Sequence, residues 1–158
     1  QRRMKLRLLA VGHKMPAWVE QGFAEYAKRL PADCSIELVE IPPGHRAKNT
    51  SKEKAMQQEA EALRKAIRPQ DHVVALDVLG ASWSTEKLAS QLENWRMQGG
   101  DVALLVGGPD GMTDDVLALA KQRWSLSALT LPHPLVRVLL AEQIYRAWSI
   151  LQGHPYHK

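Results

Sequence analysis

Short apolar runs alternate along this chain with segments of helical periodicity, and this alternation constrains its fold more than any other feature. Residues 73–79 and 102–106 are apolar almost throughout, as strands are when helices cover both faces of a parallel sheet. Residues 5–11 and 36–41 also have strand-like patterns. Because parallel strands need crossover connections, which are usually helices, the sequence predicts an α/β fold built as a parallel-sheet α/β/α sandwich.

The segments between and after these strands are predicted to be helical. Capping residues, prolines and periodic apolar positions indicate where each helix begins and ends. Five helices are expected. One begins at Pro16, one covers 49–68, one runs from Ser84 or Thr85 to about Met97, one from Thr113 to about Arg123, and one from near Pro134 to Gly153. A short strand and a turn are expected over 124–131.

Length and composition indicate one soluble domain. The chain of 158 residues fits a single domain at 4–158, and we interpret residues 1–3 as a cloning remnant ahead of a natural start at Met4. No stretch is typical of a membrane span or a secretory signal. The single cysteine, Cys34, excludes an internal disulfide framework and a Cys-cluster zinc site. We therefore expect a cytoplasmic protein.

The positive charge is weak evidence for a polyanionic partner. The net charge of +4 falls to +2 if Gln1, Arg2 and Arg3 are not native. Residues 44–68, here called the basic segment, nevertheless carry seven Lys and Arg against three Glu. Either the basic segment contacts nucleic acid or it is the solvated face of a helix, and both interpretations stay open.

Three loops are candidate ligand sites, because open parallel sheets bind ligands beyond the carboxyl ends of their strands. They comprise residues 79–80, 107–111 and 131–134. The glycines of 107–111 allow close approach of a ligand to the backbone, although a tight strand-to-helix turn would also explain them. This loop lacks the G-x-G-x-x-G spacing of dinucleotide sites and the Lys of a phosphate loop, which argues against a nicotinamide-dependent dehydrogenase.

Residues 125–134 offer further candidates. Apolar and small polar residues alternate over 125–131, which suits either a flat heterocycle such as adenine or an ordinary edge strand. His133 stands between two prolines, so its backbone is stiff and the direction of its ring is well defined. Its role is either structural or catalytic.

The last helix and the tail after it combine apolar, cationic and aromatic residues. Apolar residues surround the helix on most sides, which predicts that one side packs against a second copy of the chain. Arg137 points into this apolar surface and needs an acidic partner, either internally with Glu142 or an Asp, or in a site at the dimer seam. Tyr156 and the tail histidines suit stacking on an unpaired RNA base, unless the tail is frayed.

Five segments together resemble one family: residues 9–12, 105–111, 125–134, 137–148 and 154–157. They are similar to SPOUT-class methyltransferases that act on the RNA of the large ribosomal subunit, and the similarity covers residues 4–158. The resemblance implies a deep trefoil knot in the C-terminal part, a homodimer, and S-adenosylmethionine (SAM) as methyl donor without a metal. It also implies methylation of N3 of a pseudouridine in 23S rRNA on the assembled ribosome.

The resemblance also implies which residues bind SAM, and the chemistry suggests catalytic roles. The implied SAM contacts are Leu76, Gly107, Leu126, Ser127, Ala128, Leu129, Thr130 and Leu131. The expected catalytic residues are His133, Arg137, Tyr156 and His157. A histidine (His133, His154 or His157) would remove the N3 proton, Arg137 would stabilise negative charge, and Tyr156 would stack on the flipped base. The alternative function is a non-catalytic ribosome-binding factor.

Overall fold

One parallel sheet organises the chain, and the computed structural model describes residues 3–157 of it. The strands are β1 (Met4–Val11), β2 (Cys34–Ile41), β3 (His72–Ser82), β4 (Val102–Val106) and β5 (Gln122–Ser125). Within the described residues they form one five-stranded sheet in the order β2-β1-β4-β3-β5, and every pairing is parallel. Expectations that concern Gln1, Arg2 and Lys158 fall outside the described residues.

Helices cover both faces of this sheet. They are α1 (Ala17–Ala27), α2 (Lys52–Ala66), α3 (Thr85–Gln98), α4 (Asp114–Leu117) and α5 (His133–Leu151), and a 3₁₀ turn follows at Pro155–His157. Apolar side chains of α1, α3 and α5 pack on one face, and those of α2 and α4 pack on the other. The predicted parallel-sheet sandwich is confirmed.

The alternation of side chains along β1 explains why both faces need a cover. Leu6 and Leu8 lie in the core beneath α3 and α5, whereas Leu9 and Val11 lie in the core beneath α2. Successive strand residues point to opposite faces, so a strand that is apolar at nearly every position is buried on both sides. Among residues 3–157, no helix combines the length and apolarity needed to span a membrane.

The helix predicted from Thr113 to Arg123 is wrong in its extent. Helix α4 ends at Leu117, and β5 already begins at Gln122. The chain turns because the Lys121 amide donates to the Val73 carbonyl, 2.8 Å away, which brings β5 alongside β3. The amide oxygen of Gln122 then accepts from the rings of His72 and Trp95, at 2.8 and 2.9 Å. These long-range contacts override the local helical pattern.

Strand β3 continues beyond the predicted strand end at residue 79, so the predicted ligand loop at 79–80 is wrong. Leu76 and Ala81 both pair with Trp124, and residues 77–80 form a bulge between them. A side chain on Gly80 would lie 2.6 Å from the backbone of Arg123, so only glycine fits at this crossing. The bulge leaves Val78 and Leu79 78% and 89% exposed.

Helix α5 finds most of its cover within its own chain. It packs between α1 and α3, and its residues 133–151 are all buried or half-buried. The packing against α1 is close, since a Cβ atom on Gly22 would lie 3.2 Å from the methyl groups of Val138. The apolar circumference of α5 therefore does not by itself require a second copy of the chain.

A buried ion pair joins β1 to the start of β3. Arg7 Nη1 donates to Asp71 Oδ2 at 3.0 Å, and Arg7 Nη2 donates to the Ala66 carbonyl at 3.1 Å. The Arg68 amide donates to the same Asp71 oxygen at 2.8 Å. Arg7 and Asp71 are both buried. Removing one partner leaves the other as an uncompensated charge inside the protein.

We expect Arg7→Met to lower the free energy of unfolding by about 3 kcal/mol, because it leaves Asp71 buried without its cation. Urea denaturation measures this loss. Lys5→Met is the matched control, since the Lys5–Glu37 pair on the same strand is largely exposed and its loss costs less than about 1 kcal/mol. Equal losses in the two variants would contradict the role given to the buried pair.

Candidate active site

A cavity of about 880 Å³ opens at the carboxyl edge of the sheet. Residues from the ends of β1, β4 and β5, from the middle of β3 and from the start of α5 contribute to its walls. Its volume lies within the range of roughly 300–1,000 Å³ that is typical of ligand and cofactor sites. The cavity therefore lies at the edge that the rule for open parallel sheets indicates for a ligand, and two of the three predicted loops, 107–111 and 131–134, contribute to it.

Most of the residues that the resemblance assigns to SAM line this cavity. They are Leu76, Gly107, Leu126, Ser127, Leu129 and Leu131. Ala128 and Thr130 belong to the same segment but are not among the lining residues. Leucines from β3 and from the segment after β5 thus provide apolar walls, and small polar residues between them provide hydrogen-bonding groups.

The glycine-rich loop is both a tight turn and a wall of the cavity. The Gly111 amide donates to the Gly108 carbonyl at 3.1 Å, which closes the turn, and all five residues 107–111 line the cavity. Gly111 has a φ of +82°, a conformation that favours glycine. A Cβ on Gly107 would lie 2.8 Å from Met112 Cγ. A tight turn and a backbone that a ligand can approach closely were alternatives in the sequence analysis, and this loop combines both features.

His133 is the one expected catalytic residue whose side chain lines the cavity. Its Nε2 atom is buried and has no hydrogen-bond partner among the described residues. Burial lowers the pKa of His133 below its ordinary value of 6.5, and the nearby charge of Arg137 lowers it further. Both effects favour the neutral ring, and a neutral imidazole can accept a proton.

Arg137 does not line the main cavity but lies behind its wall. Its side chain is 1% exposed; Nη1 donates to Glu40 Oε2 at 2.8 Å, and Nη2 donates to the Gly12 carbonyl at 3.0 Å. The expected internal acidic partner is therefore present, but it is Glu40; the suggested partners, Glu142 or an Asp, are wrong, and Glu142 instead accepts from Arg146 and Tyr156. Arg137 joins the first turns of α5 to the ends of β1 and β2.

Tyr156 folds back onto the middle of α5 and does not line the cavity. Its contacts on the helix lie nine and twelve residues after His133, which is roughly 14–18 Å along the helix axis. The Tyr156 hydroxyl donates to Glu142 Oε2 at 3.0 Å, and its ring meets the Tyr145 ring edge-on with centroids 4.6 Å apart. Burial and this hydrogen bond raise the pKa of Tyr156 to about 12, so its hydroxyl remains protonated.

The tail histidines lie in the same turn as Tyr156. His157 Nδ1 donates to the His154 carbonyl at 2.9 Å, while the amide of Tyr156 donates to His154 Nδ1 at 3.2 Å. Both histidines are exposed. Within one chain, the structure therefore separates the expected catalytic residues into His133 at the cavity, Arg137 behind its wall, and a distant pair, Tyr156 and His157.

Only part of the basic segment is free to contact a polyanion. Four of its cations pair with carboxylates of the same chain: Arg46, Arg64, Lys65 and Arg68. Lys48, Lys52 and Lys54 are exposed, and no carboxylate among residues 3–157 lies within ion-pair distance of them. The interpretation as a nucleic-acid contact thus applies to these three lysines, and among the paired cations the interpretation as a solvated helix face applies to Arg64 and Lys65, which lie on α2.

The sequence analysis missed two acidic residues that bond to arginines beside the cavity without lining it. Glu40 continues the spacing of Ile36 and Leu38 along β2, which places a carboxylate on the apolar face that α1 and α5 cover. Glu59 follows Ala55 by one helical turn on the buried side of α2. In both cases the sequence signal was a charged residue at a position where the periodicity expects an apolar one. Arg137 on α5 is a cation at such a position.

Comparisons with known proteins agree with this geometry. A family model described as "Predicted SPOUT methyltransferase" matches residues 4–157. The ribosomal RNA large subunit methyltransferase H of Hahella chejuensis is 61% identical over 155 residues, which cover 98% of this chain and 99% of that protein. The protein of the same name from Chromohalobacter salexigens is 60% identical, over 98% of this chain and 100% of that one.

Solved structures show the same fold at low sequence identity. A Bordetella pertussis methyltransferase, described as probable, has a TM-score of 0.56 and 17% identity, covering 92% of this chain and 94% of that chain. A Legionella pneumophila methyltransferase solved with bound SAM has a TM-score of 0.51 and 16% identity, covering 91% of this chain and 66% of that chain. At these identities the likeness concerns the fold alone.

We expect the His133 ring to titrate with a midpoint below 6.5, because burial and the charge of Arg137 disfavour its protonated form. NMR of ring protons across a pH series measures this midpoint. In Arg137→Met the midpoint should rise, since one of the two causes has been removed. A midpoint at or above 6.5 in the unsubstituted protein would contradict the environment described for His133.

Proposed function

Because this chain belongs to the SPOUT methyltransferase family, we propose that it transfers a methyl group from SAM to N3 of a pseudouridine in 23S rRNA of the assembled ribosome. The observation that carries the proposal is the cavity at the carboxyl edge of the sheet, together with the neutral imidazole of His133 in its wall. The rRNA methyltransferase name of the relatives supports the substrate, and the SAM-bound Legionella structure supports the methyl donor.

The residues present fit SAM chemically. The leucine walls suit the faces of an adenine ring, and the backbone of the glycine-rich loop permits close approach of the amino-acid part. Leu76, Gly107 and the segment 126–131 would hold the molecule. When bound, SAM supplies a methyl group on a positively charged sulfur. A metal has no role in this chemistry, because the methyl group is already activated.

His133 is the general base in this proposal. The N3 atom of a pseudouridine is a poor nucleophile until its proton is removed, and His133 is the one of the three expected bases that lines the cavity. Because the pKa of His133 is lowered, the neutral form that can accept a proton is favoured to a lower pH than in an ordinary histidine. We infer a positioning role for Arg137, since its guanidinium holds the Gly12 carbonyl next to the imidazole.

The homodimer is part of the proposal because it brings the remaining expected residues to the reaction. Tyr156 and His157 do not line the cavity of their own chain, and Tyr156 bonds to Glu142, roughly 14 Å along α5 from His133, so they would serve the cavity of a second copy. There Tyr156 would stack on the flipped base. A deep trefoil knot around the segments 107–111 and 125–131 is the chain path that the family resemblance implies.

The proposed contact with rRNA is the group of free lysines in the basic segment, Lys48, Lys52 and Lys54. They lie on the loop before α2 and on its first turn, exposed and without a carboxylate partner among residues 3–157. A small net charge cannot bind RNA strongly by itself, so shape and the assembled ribosome would supply much of the recognition.

The test incubates the protein with radiolabelled SAM and either intact ribosomes or naked rRNA, followed by mapping of the methylated nucleotide. We expect label at N3 of one pseudouridine of 23S rRNA, and far less of it with naked rRNA. Calorimetry measures SAM binding separately. SAM binding without transfer to either RNA would favour a non-catalytic ribosome-binding factor, and absence of SAM binding would overturn the proposal.

The same assay separates the residue roles. His133→Gln should lower kcat by at least about a hundredfold while SAM affinity changes little, because only proton removal is lost. Tyr156→Ala and His157→Ala should lower transfer without affecting SAM affinity. A His133 variant with full turnover would remove that residue from the mechanism and leave His154 and His157 as the candidate bases.

Charge reversal of Lys48, Lys52 and Lys54 together should weaken ribosome binding and reduce its dependence on salt, because each lost phosphate contact removes close to one unit of the log–log slope. Binding measured across a series of KCl concentrations gives that slope. The control reverses Lys87 and Lys121, which are exposed outside the basic segment. An unchanged slope in the triple variant would show that these lysines do not contact rRNA.

A further inference from the structure

A buried carboxylate supports the glycine-rich loop from behind. Glu59 on α2 is only 2% exposed, and its Oε2 atom accepts from the Gly44 amide at 2.8 Å. A Cβ atom on Gly108 would lie 3.1 Å from Glu59 Oε1, so the loop backbone packs directly against this carboxylate. Gly108 lines the cavity on its other side. At this point the cavity wall therefore consists of the loop backbone alone, and the Glu59 carboxylate lies directly behind it.

Arg46 connects this carboxylate to the loop. Its Nη1 donates to Glu59 Oε2 at 2.6 Å, and its Nε donates to Asp110 Oδ2 at 3.1 Å. Asp110 is part of the glycine-rich loop and also lines the cavity. A guanidinium presents several N–H donors in a fixed plane, so it can hold two carboxylates at once, which a lysine ammonium does less well.

Little space remains for these segments to shift relative to each other. A Cβ atom on Gly44 would lie 2.2 Å from the Ala55 carbonyl oxygen, so the chain before Arg46 rests directly on the first turn of α2. The Arg46 side chain is 28% exposed and Glu59 3%, which makes this pair largely shielded from water. Loss of a shielded, charge-assisted hydrogen bond has a larger effect than loss of a surface pair.

We propose that Arg46 is a positioning residue for the SAM cavity: it fixes the turn 108–111 by holding Asp110 against Glu59. This inference rests on the proposed function, because it concerns the shape of the proposed SAM site. Arg46 itself is not among the lining residues, so it acts through Asp110. Four of the seven basic residues of the basic segment are paired, and Arg46 is the one among them that reaches a residue of the cavity wall.

The test compares Arg46→Met, Asp110→Asn and the double variant by calorimetric titration with SAM, alongside thermal unfolding. Each single variant should bind SAM roughly tenfold more weakly than the unsubstituted protein. The double variant should lose no more affinity than the more affected single variant, since both changes break the same contact. In steady-state assays the KM for SAM should rise with kcat unchanged. Arg46→Lys should restore part of the affinity, because lysine keeps the charge.

Asp115→Asn is the matched control. Asp115 also accepts from an arginine of the basic segment, Arg64, but it does not line the cavity. This variant should bind SAM as the unsubstituted protein does.

If the unsubstituted protein binds SAM and Arg46→Met binds it equally well, the role of Arg46 is overturned while the proposed function stands. If the losses from Arg46→Met and Asp110→Asn add in full, the two residues act independently and the inference also fails. Failure of the unsubstituted protein to bind SAM would instead overturn the proposed function.

Discussion

The contact between Arg137 and Glu40 determines how the carboxyl edge of the sheet is assembled. Arg137 belongs to α5, Glu40 to β2, and the second acceptor of Arg137 is the Gly12 carbonyl just after β1. A buried guanidinium without acceptors costs several kcal/mol, so α5 packs only where these oxygens are available. The same contact sets the position of His133, which stands one helical turn earlier and faces the cavity.

The parts of the fold that follow from periodicity were predicted correctly, and the parts that follow from long-range contacts were not. Apolar strands and amphipathic helices are local patterns, and they predicted the layers and the edge at which the cavity lies. Helix α4 stops early because Lys121 and Gln122 bond to β3, roughly 50 residues earlier in the chain. The partner of Arg137 lies 97 residues away, a distance over which periodicity carries no information. The assignment of a methyl donor came from the family resemblance rather than from local patterns.

Two arginine–glutamate pairs lie behind neighbouring parts of the cavity wall, at the ends of β1 and β4. Arg137 and Glu40 lie behind Gly12, and Arg46 and Glu59 lie behind Gly108. In both places a glycine brings the backbone close to the charged pair: a Cβ atom on Gly12 would lie 3.3 Å from Arg137 Nη2, and one on Gly108 would lie 3.1 Å from Glu59 Oε1. The cavity wall is thus thin, and its shape depends on polar groups that a ligand never touches. Sites of this kind are preorganised by the residues around them.

The central position of β1 has a consequence for how the chain folds. Strand β1 pairs on one side with β2 and on the other with β4, so that Leu6 lies opposite Val102. The middle of the sheet therefore cannot close until about two thirds of the chain is available. Topologies dominated by such distant pairings fold slowly, because loop-closure entropy is lost before the contacts form. Among the described strands β1 is synthesised first, and it remains half-paired until β4 has been made, so its apolar faces need protection during that interval.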